Sequence, residues 1–259
     1  MMFSYPISRH EKVFKEIFGA SERVQPGDAP LRCVLLAFVN RSGSNYLAEL
    51  LKSTGKFAGF EESLNDFSMR YLVPRFASVS FPDYIRRIQS EATKVPGQVW
   101  GVKVGWMQLA MLLRSQAIPN LIHPSIILAR RRDVISQAVS LFIAEQTGQW
   151  TSATAPTMDR KDIAYDGDKI FTHLRGILNS YSQLESILTF ANLPYIEVFY
   201  EDLLDAPQGI ISGLSRKLVG HGFAPQIRSV RMEIQRNEID NDLKLRFIKD
   251  LDELEWNAV

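Results

Sequence analysis

The chain has 259 residues, 46% of them hydrophobic, and carries 30 basic against 29 acidic residues for a net charge of +1. That is ample apolar material for one large core, read as a single domain over 1–259, and the balanced charge excludes a surface built to coat nucleic acid or an anionic membrane. Cys33 is the only cysteine, which excludes an intrachain disulfide framework, and no apolar stretch approaches the roughly 20 residues that span a bilayer. Residues 1–12 lack the basic and apolar regions of a secretory signal, so a cytoplasmic setting is expected.

Residues 1–30 are mixed and polar and read as an N-terminal extension packed on the core. Residues 31–39 follow with an apolar run, Cys-Val-Leu-Leu-Ala-Phe-Val, of the kind found in strands buried on both faces. A polar turn containing Gly43 comes next, then Tyr46, Leu47, Leu50 and Leu51 at helical spacing up to Gly55. The spacing predicts strands at 99–104, 125–129 and 195–199. It predicts helices at 107–114, from Asp133 through Phe142, from Ile170 through Leu188, and at 207–219 and 238–251. Strands alternating with helices imply a mostly parallel sheet covered on both faces, an α/β three-layer sandwich. Residues 147–167 are rich in Thr, Ser, Ala, Pro and Asp and read as a surface loop or lid.

Two segments at the carboxyl ends of predicted strands carry the chemistry, which is where ligands bind in parallel α/β sheets. Asn40-Arg41-Ser42-Gly43-Ser44-Asn45 opens a helix, so free backbone N–H groups and the helix dipole meet there and suit a phosphate or sulfate. Gly43 allows close approach, Arg41 adds a charge, and Ser42 and Ser44 add hydroxyls. The plain alternative is a turn with Ser44 as N-cap. The loop lacks the Gly-Lys-Ser/Thr of the nucleotide P-loop. Arg130-Arg131-Arg132-Asp133 is the second segment; alone it is equally a solvated charge run, but two anion sites suit a ligand with two separated phosphates. Lys103, at the end of a strand, is costly in a core unless paired and so reads as site-facing or as a snorkelling surface lysine. Trp100, Trp106 and Trp150 suit either a core or stacking on a ring. His10, His123, His173 and His221 are scattered without metal-ligand spacing, read as structural or surface groups, and no metal is proposed.

Arg41-Ser42-Gly43-Ser44 before a Leu-rich helix, the stretch from Trp100 to Gln108, the segment from Arg131 to Ser140, and Gln146-Thr147-Gly148-Gln149-Trp150 come in an order that resembles the bacterial trehalose 2-sulfotransferase-like family. The resemblance spans about residues 31–150 and extends weakly through Tyr200-Glu201-Asp202-Leu203 and Gln235-Arg236. It implies a P-loop-like α/β fold and sulfuryl transfer from 3′-phosphoadenosine 5′-phosphosulfate to a hydroxyl of a carbohydrate or glycolipid. It implies that Arg41, Ser42, Gly43, Ser44 and Asn45 hold the 5′-phosphosulfate, and that Arg131 with Ser136 or Ser140 holds the 3′-phosphate. Family members dimerise, which leaves a homodimer open. Glu62, or Glu61 if the segment shifts by one, falls at the general-base position, and Lys103 joins it in the catalytic set. The sequence departs from the family at Asn45, where threonine is usual, at Asn40, and around Glu62. A small-molecule kinase and a nucleotide-binding homologue without turnover are the competing expectations.

Overall fold

The computed structural model describes residues 6–19, 23–27, 30–151, 154–228 and 238–253. In chain order the elements are α1 (Arg9–Phe18), β1 (Leu31–Phe38), α2 (Ser44–Ser53), β2 (Phe57–Glu61), α3 (Asp66–Phe76), α4 (Phe81–Ala92), β3 (Val99–Val104) and α5 (Trp106–Arg114). They continue with α6 (Ala117–Asn120), β4 (Ile122–Arg130), α7 (Val134–Thr147), α8 (Gly167–Phe190), β5 (Tyr195–Phe199), α9 (Tyr200–Asp205), α10 (Pro207–Val219) and α11 (Glu238–Glu253). The predicted 147–167 loop contains a single 3-10 turn, Arg160–Asp162. The weakly matching Gln235-Arg236 lies outside the described residues.

One parallel sheet of five strands, in the order β2-β3-β1-β4-β5, organises these elements. Parallel strands are joined by right-handed crossovers, so the direction of each crossover decides which face its helix covers. The connection from β1 leftward to β2 lays α2 against Leu36 and Ile127 on one face, where α9 and α10 also pack through Leu203, Ile211 and Leu214. The rightward connections put α3, α4, α5, α7 and α8 on the other face, over Leu35, Ala37, Val102 and Leu128. The central strands are therefore apolar on both sides, as the run from Cys33 to Ala37 predicts.

The structure adds elements that the spacing did not predict: the edge strand β2 after Gly55, and α3 and α4 in the stretch from 66 to 92. The N-terminal extension contributes α1, capped by Ser8, whose hydroxyl accepts the Glu11 N–H at 3.1 Å. Phe14 and Phe18 of α1 meet Phe81 of α4 with ring centroids 4.8 and 5.4 Å apart, which fixes α1 to the helical layer.

β2 pairs with β3 through a bulge. Gly59 faces Gly101 and Glu61 faces Val102, so Phe60, at φ 65°, is the extra residue. Its ring lies on the bare backbone of Gly101; a Cβ there would meet the Phe60 ring at 2.3 Å. Gly101→Ala is expected to cost about 2 kcal/mol by overpacking, read as a lower urea midpoint at unchanged slope.

Asp133 caps α7. Its Oδ1 accepts the Ser136 N–H at 2.9 Å, and its Oδ2 accepts the Ser136 hydroxyl at 2.7 Å and Lys244 Nζ of α11 at 2.6 Å. Partial burial pushes this carboxyl up, but the hydrogen bonds from Lys244 and Ser136 prevail and hold it at about 2, against an ordinary 3.8. A depressed carboxylate stabilises the fold above its ordinary value and loses that contribution as pH falls through the folded one. Asp133→Ala is therefore expected to lose about 1–2 kcal/mol at neutral pH. The gap between variant and parent in urea unfolding should shrink steadily below pH 4.

Candidate functional site

The two crossovers that leave β1 and β4 run in opposite directions, so the loops after these adjacent strands part and open a crevice. The loop after β1 turns tightly: the Ser42 N–H donates to the Val39 carbonyl at 3.1 Å, and Arg41 and Gly43 have φ of 64° and 83°. Gly43, with no side-chain cap, is the N-cap of α2. Ser44 is thus the first helical residue and not the cap that the alternative reading made it. A Cβ on Gly43 would lie 2.3 Å from the Tyr200 ring, so this position needs glycine twice over. The Ser42 side chain is buried, and its hydroxyl has no hydrogen-bond partner among the described residues. An orphaned hydroxyl beside free helix-terminal N–H groups is what an anion cradle offers.

From behind, Gln137 of α7 fixes the loop. Its amide nitrogen donates to the Asn40 carbonyl at 2.8 Å, and its amide oxygen accepts the Tyr181 hydroxyl at 3.1 Å. Gln137 is fully buried, so losing either bond would strand an amide in the core.

The arginine triplet is held by different partners. Arg130 faces Glu185 and Glu197, the latter at 2.9 Å. Arg132 forks onto Asp202 at 2.7 and 2.9 Å. All three also stack on rings, Arg130 5.0 Å from the Tyr181 centre, Arg132 4.1 Å from that of Phe199 and Arg131 5.2 Å from that of Tyr200. Tyr200 thus joins Gly43 after β1 to Arg131 after β4. Arg41 crosses the crevice: its Nε donates to the Ser140 hydroxyl at 2.9 Å and an Nη donates to the Trp150 carbonyl at 2.7 Å. Burial, followed by repulsion from Arg131 and then Arg160, lowers the pKa of Arg41. Guanidiniums driven together this way mark a region of strong positive potential. Ser140 therefore meets the first loop directly, while Ser136 serves the Asp133 cap.

At the other end of the crevice Lys103, the penultimate residue of β3, is nearly buried. Its ammonium donates to the Asn45 side-chain oxygen and to Glu62 Oε1, the latter at 3.0 Å, and lies 5.1 Å from the centre of the Phe38 ring. Asn45 uses its oxygen as an acceptor here. Because Phe60 is the extra residue of the bulge, Glu61 and Glu62 diverge as β2 ends. Glu61 points out, with its side chain 74% exposed and 3.8 Å from Lys52, and Glu62 turns in to Lys103.

Glu62 also lines a cavity of about 300 Å³. Asn40 and Gln108 bound it on the sheet side, Arg9, His10 and Asn65 on the α1 and α3 side, and His173 on the α8 side, with Trp106 offering an aromatic surface. His10 is the residue that sequence reasoning missed. Burial lowers its pKa, and its Nδ1 sits 3.0 Å from the Asp66 N–H and 2.9 Å from the Asp66 carboxylate, which leaves Nε2 for the cavity. Trp100, by contrast, is core, and Trp150 serves through its backbone carbonyl.

Comparison with known proteins matches this arrangement. The Stf0 sulphotransferase family profile matches residues 33–250. A curated relative, trehalose 2-sulfotransferase of Mycobacterium tuberculosis, is 26% identical over 175 residues. That match covers 53% of this chain and 66% of the relative, so it falls just short of two thirds of that protein. Among solved structures, the sulfotransferase domain of the curacin biosynthetic pathway superposes with a TM-score of 0.52 at 15% identity, covering 86% of this chain and 99% of that one. A sulfotransferase from Alicyclobacillus acidocaldarius follows with a TM-score of 0.48 at 15% identity over 88% of this chain and 95% of its own. The P-loop-like α/β fold is shared with the curacin-pathway domain, and with a matching family profile over most of its length this chain belongs to the Stf0 sulphotransferase family.

Proposed function

We propose that the protein transfers a sulfuryl group from 3′-phosphoadenosine 5′-phosphosulfate to a hydroxyl of a carbohydrate-like acceptor. The observation that carries this reading is the hydrogen-bonded chain Glu62–Lys103–Asn45, which joins the wall of the cavity to the anion loop. A carboxylate beside a polar cavity is placed to take a hydroxyl proton, and a cation beside the loop is placed to meet negative charge on a transferring group.

In this reading the N-terminal amides of α2, with Ser42, Ser44 and Arg41, hold the 5′-phosphosulfate, and Asn45 keeps Lys103 beside it. Arg131 and Ser140 hold the 3′-phosphate, and Ser136 supports that end by completing the Asp133 cap. The orphaned Ser42 hydroxyl and the repelling guanidiniums support an anionic occupant. The acceptor sits in the cavity, whose amide, imidazole and carboxylate groups suit a hydroxyl-rich molecule and whose Trp106 suits the face of a sugar ring. The acceptor oxygen attacks sulfur as Glu62 takes its proton; the bond from sulfur to the phosphate oxygen breaks, giving a sulfate ester and the adenosine bisphosphate. Lys103, between base and loop, offsets charge at the reacting oxygens. The name of the mycobacterial relative makes trehalose the first acceptor to try.

Titration calorimetry with 3′-phosphoadenosine 5′-phosphate tests the donor, and labelled-donor transfer to trehalose and other sugars tests the reaction. Arg41→Ala should abolish nucleotide binding. Glu62→Gln should lower kcat by roughly 10²–10⁴-fold while nucleotide affinity stays within about twofold, and Glu61→Gln should match the parent. Tighter binding of ADP with magnesium than of the bisphosphate would overturn the donor assignment.

A further inference from the structure

The family profile begins at residue 33, so α1 lies outside the residues it describes. That helix nonetheless forms part of the cavity wall, through Arg9 and His10. It is tied to three helices. Glu11 pairs with Arg114 of α5, the Phe14 ring meets Phe81 of α4 edge-on at 4.8 Å, and Glu16 pairs with Arg70 of α3 at 2.5 Å. A wall built on a packed helix holds its side chains in place better than a loop does.

His10 stands where α1 meets the start of α3. Its side chain is 4% exposed, and its Nδ1 accepts the N–H of Asp66, the first helical residue of α3, at 3.0 Å. Asn65, the N-cap of that helix, donates its own N–H to the Glu62 carbonyl at 3.2 Å. One tight turn therefore carries both the Glu62 carboxylate and the group that orients His10, and both side chains line the same cavity. Burial, with help from Arg9, outweighs the Asp66 and Glu62 carboxylates and lowers the pKa of the ring, so the ring is neutral at neutral pH. A neutral ring that accepts at Nδ1 carries its proton on Nε2. Among the described residues, none accepts that proton. A histidine that only capped α3 would need Nδ1 alone. Here a buried ring also sets a free N–H at the wall of a polar cavity, and a ligand oxygen there would satisfy it.

We propose that His10 is an acceptor-binding residue, its Nε2–H donating to one acceptor oxygen while Glu62 faces the hydroxyl that reacts, and that α1 thereby sets which hydroxyl compounds the site takes. This rests on the acceptor reading given under Proposed function. Labelled-donor transfer by the full chain to trehalose, maltose and glucose tests it, with two variants that separate the ring nitrogens. Asparagine places its amide oxygen near the Nδ1 position, and glutamine places its amide nitrogen near the Nε2 position. His10→Asn should raise the acceptor KM roughly fivefold to thirtyfold with kcat within about twofold, and His10→Gln should lie closer to the parent. Both should bind 3′-phosphoadenosine 5′-phosphate within about twofold of the parent, since the donor loop is untouched. A residue that caps α3 and does nothing more predicts the reverse order, with asparagine rescuing and glutamine failing. That order, an unchanged KM in His10→Asn, or a matching loss of bisphosphate affinity would overturn the proposal. So would a ring proton on Nδ1, read at neutral pH from nitrogen–proton correlations of histidine-labelled protein without any acceptor. A parent that sulfates none of the three sugars would instead overturn the acceptor reading itself, which the parent assay alone reveals.

Discussion

A right-handed connection between parallel strands leaves the chain no choice of face: a crossover to the left covers one side of the sheet and a crossover to the right covers the other. In this molecule β1 sends its helix left, and its neighbour β4 sends its helices right. Their loops therefore diverge, and around the gap Arg41 meets Ser140 while Tyr200 touches both Gly43 and Arg131. The anion loop needs no special fold of its own. It needs a glycine at the N-cap of α2, because Tyr200 from the end of β5 already occupies the volume of a Cβ.

The acidic residues around this crevice explain how a neutral chain keeps a strongly positive site. Glu185, Glu197 and Asp202 take up Arg130 and Arg132, and the Glu201 carboxylate accepts the Arg132 and Asp133 backbone N–H groups at 3.1–3.3 Å. Arg131 stacks on the Tyr200 ring, and Arg41 donates to the Ser140 hydroxyl and the Trp150 carbonyl. Net charge thus says little here, since the carboxylates are sorted onto Arg130 and Arg132.

The sheet's central strands were legible because both faces are buried: 31–39 and 99–104 agree with the structure to within a residue, and β4 begins three residues before the predicted 125–129. The edge strand β2 was not, because Phe57-Ala-Gly-Phe-Glu61 holds a glycine, a bulge and no β-branched residue. In α3, Phe67 and Tyr71 face solvent and Pro74 lies inside the helix, which blurs its apolar stripe. α4 is different: Ser80 as cap, Pro82 and the stripe Phe81, Tyr84, Ile85, Ile88 carry a full helix signal that the reading passed over. Within the site, the loop and the arginine triplet could be found locally, since each follows its own strand. The choice of Arg131 over its neighbours came from the family resemblance, since the carboxylates that hold Arg130 and Arg132 lie 55 and 70 positions away. His10 was hidden for the same reason; it reaches the cavity only through α1, whose docking no local pattern records.

Lys103 shows how the two halves of the site depend on each other. A nearly buried ammonium must be paired, and it has one full charge partner, Glu62, and one dipole, Asn45. Threonine at position 45, the residue usual in the family it resembles, offers a hydroxyl on a shorter stem, so the amide extends the loop's reach to the lysine. Glu62 is pulled out of its edge strand by the Phe60 bulge and meets Lys103 only because Gly59 and Gly101 let two backbones and a ring share one layer. An acceptor hydroxyl that engages Glu62 therefore perturbs Lys103, and through it Asn45 at the second turn position of α2. Glu62, Lys103 and Asn45 form one polar unit strung across the carboxyl ends of β2, β3 and β1. Its geometry is set by the glycine pair in the sheet together with Asn45 of the loop.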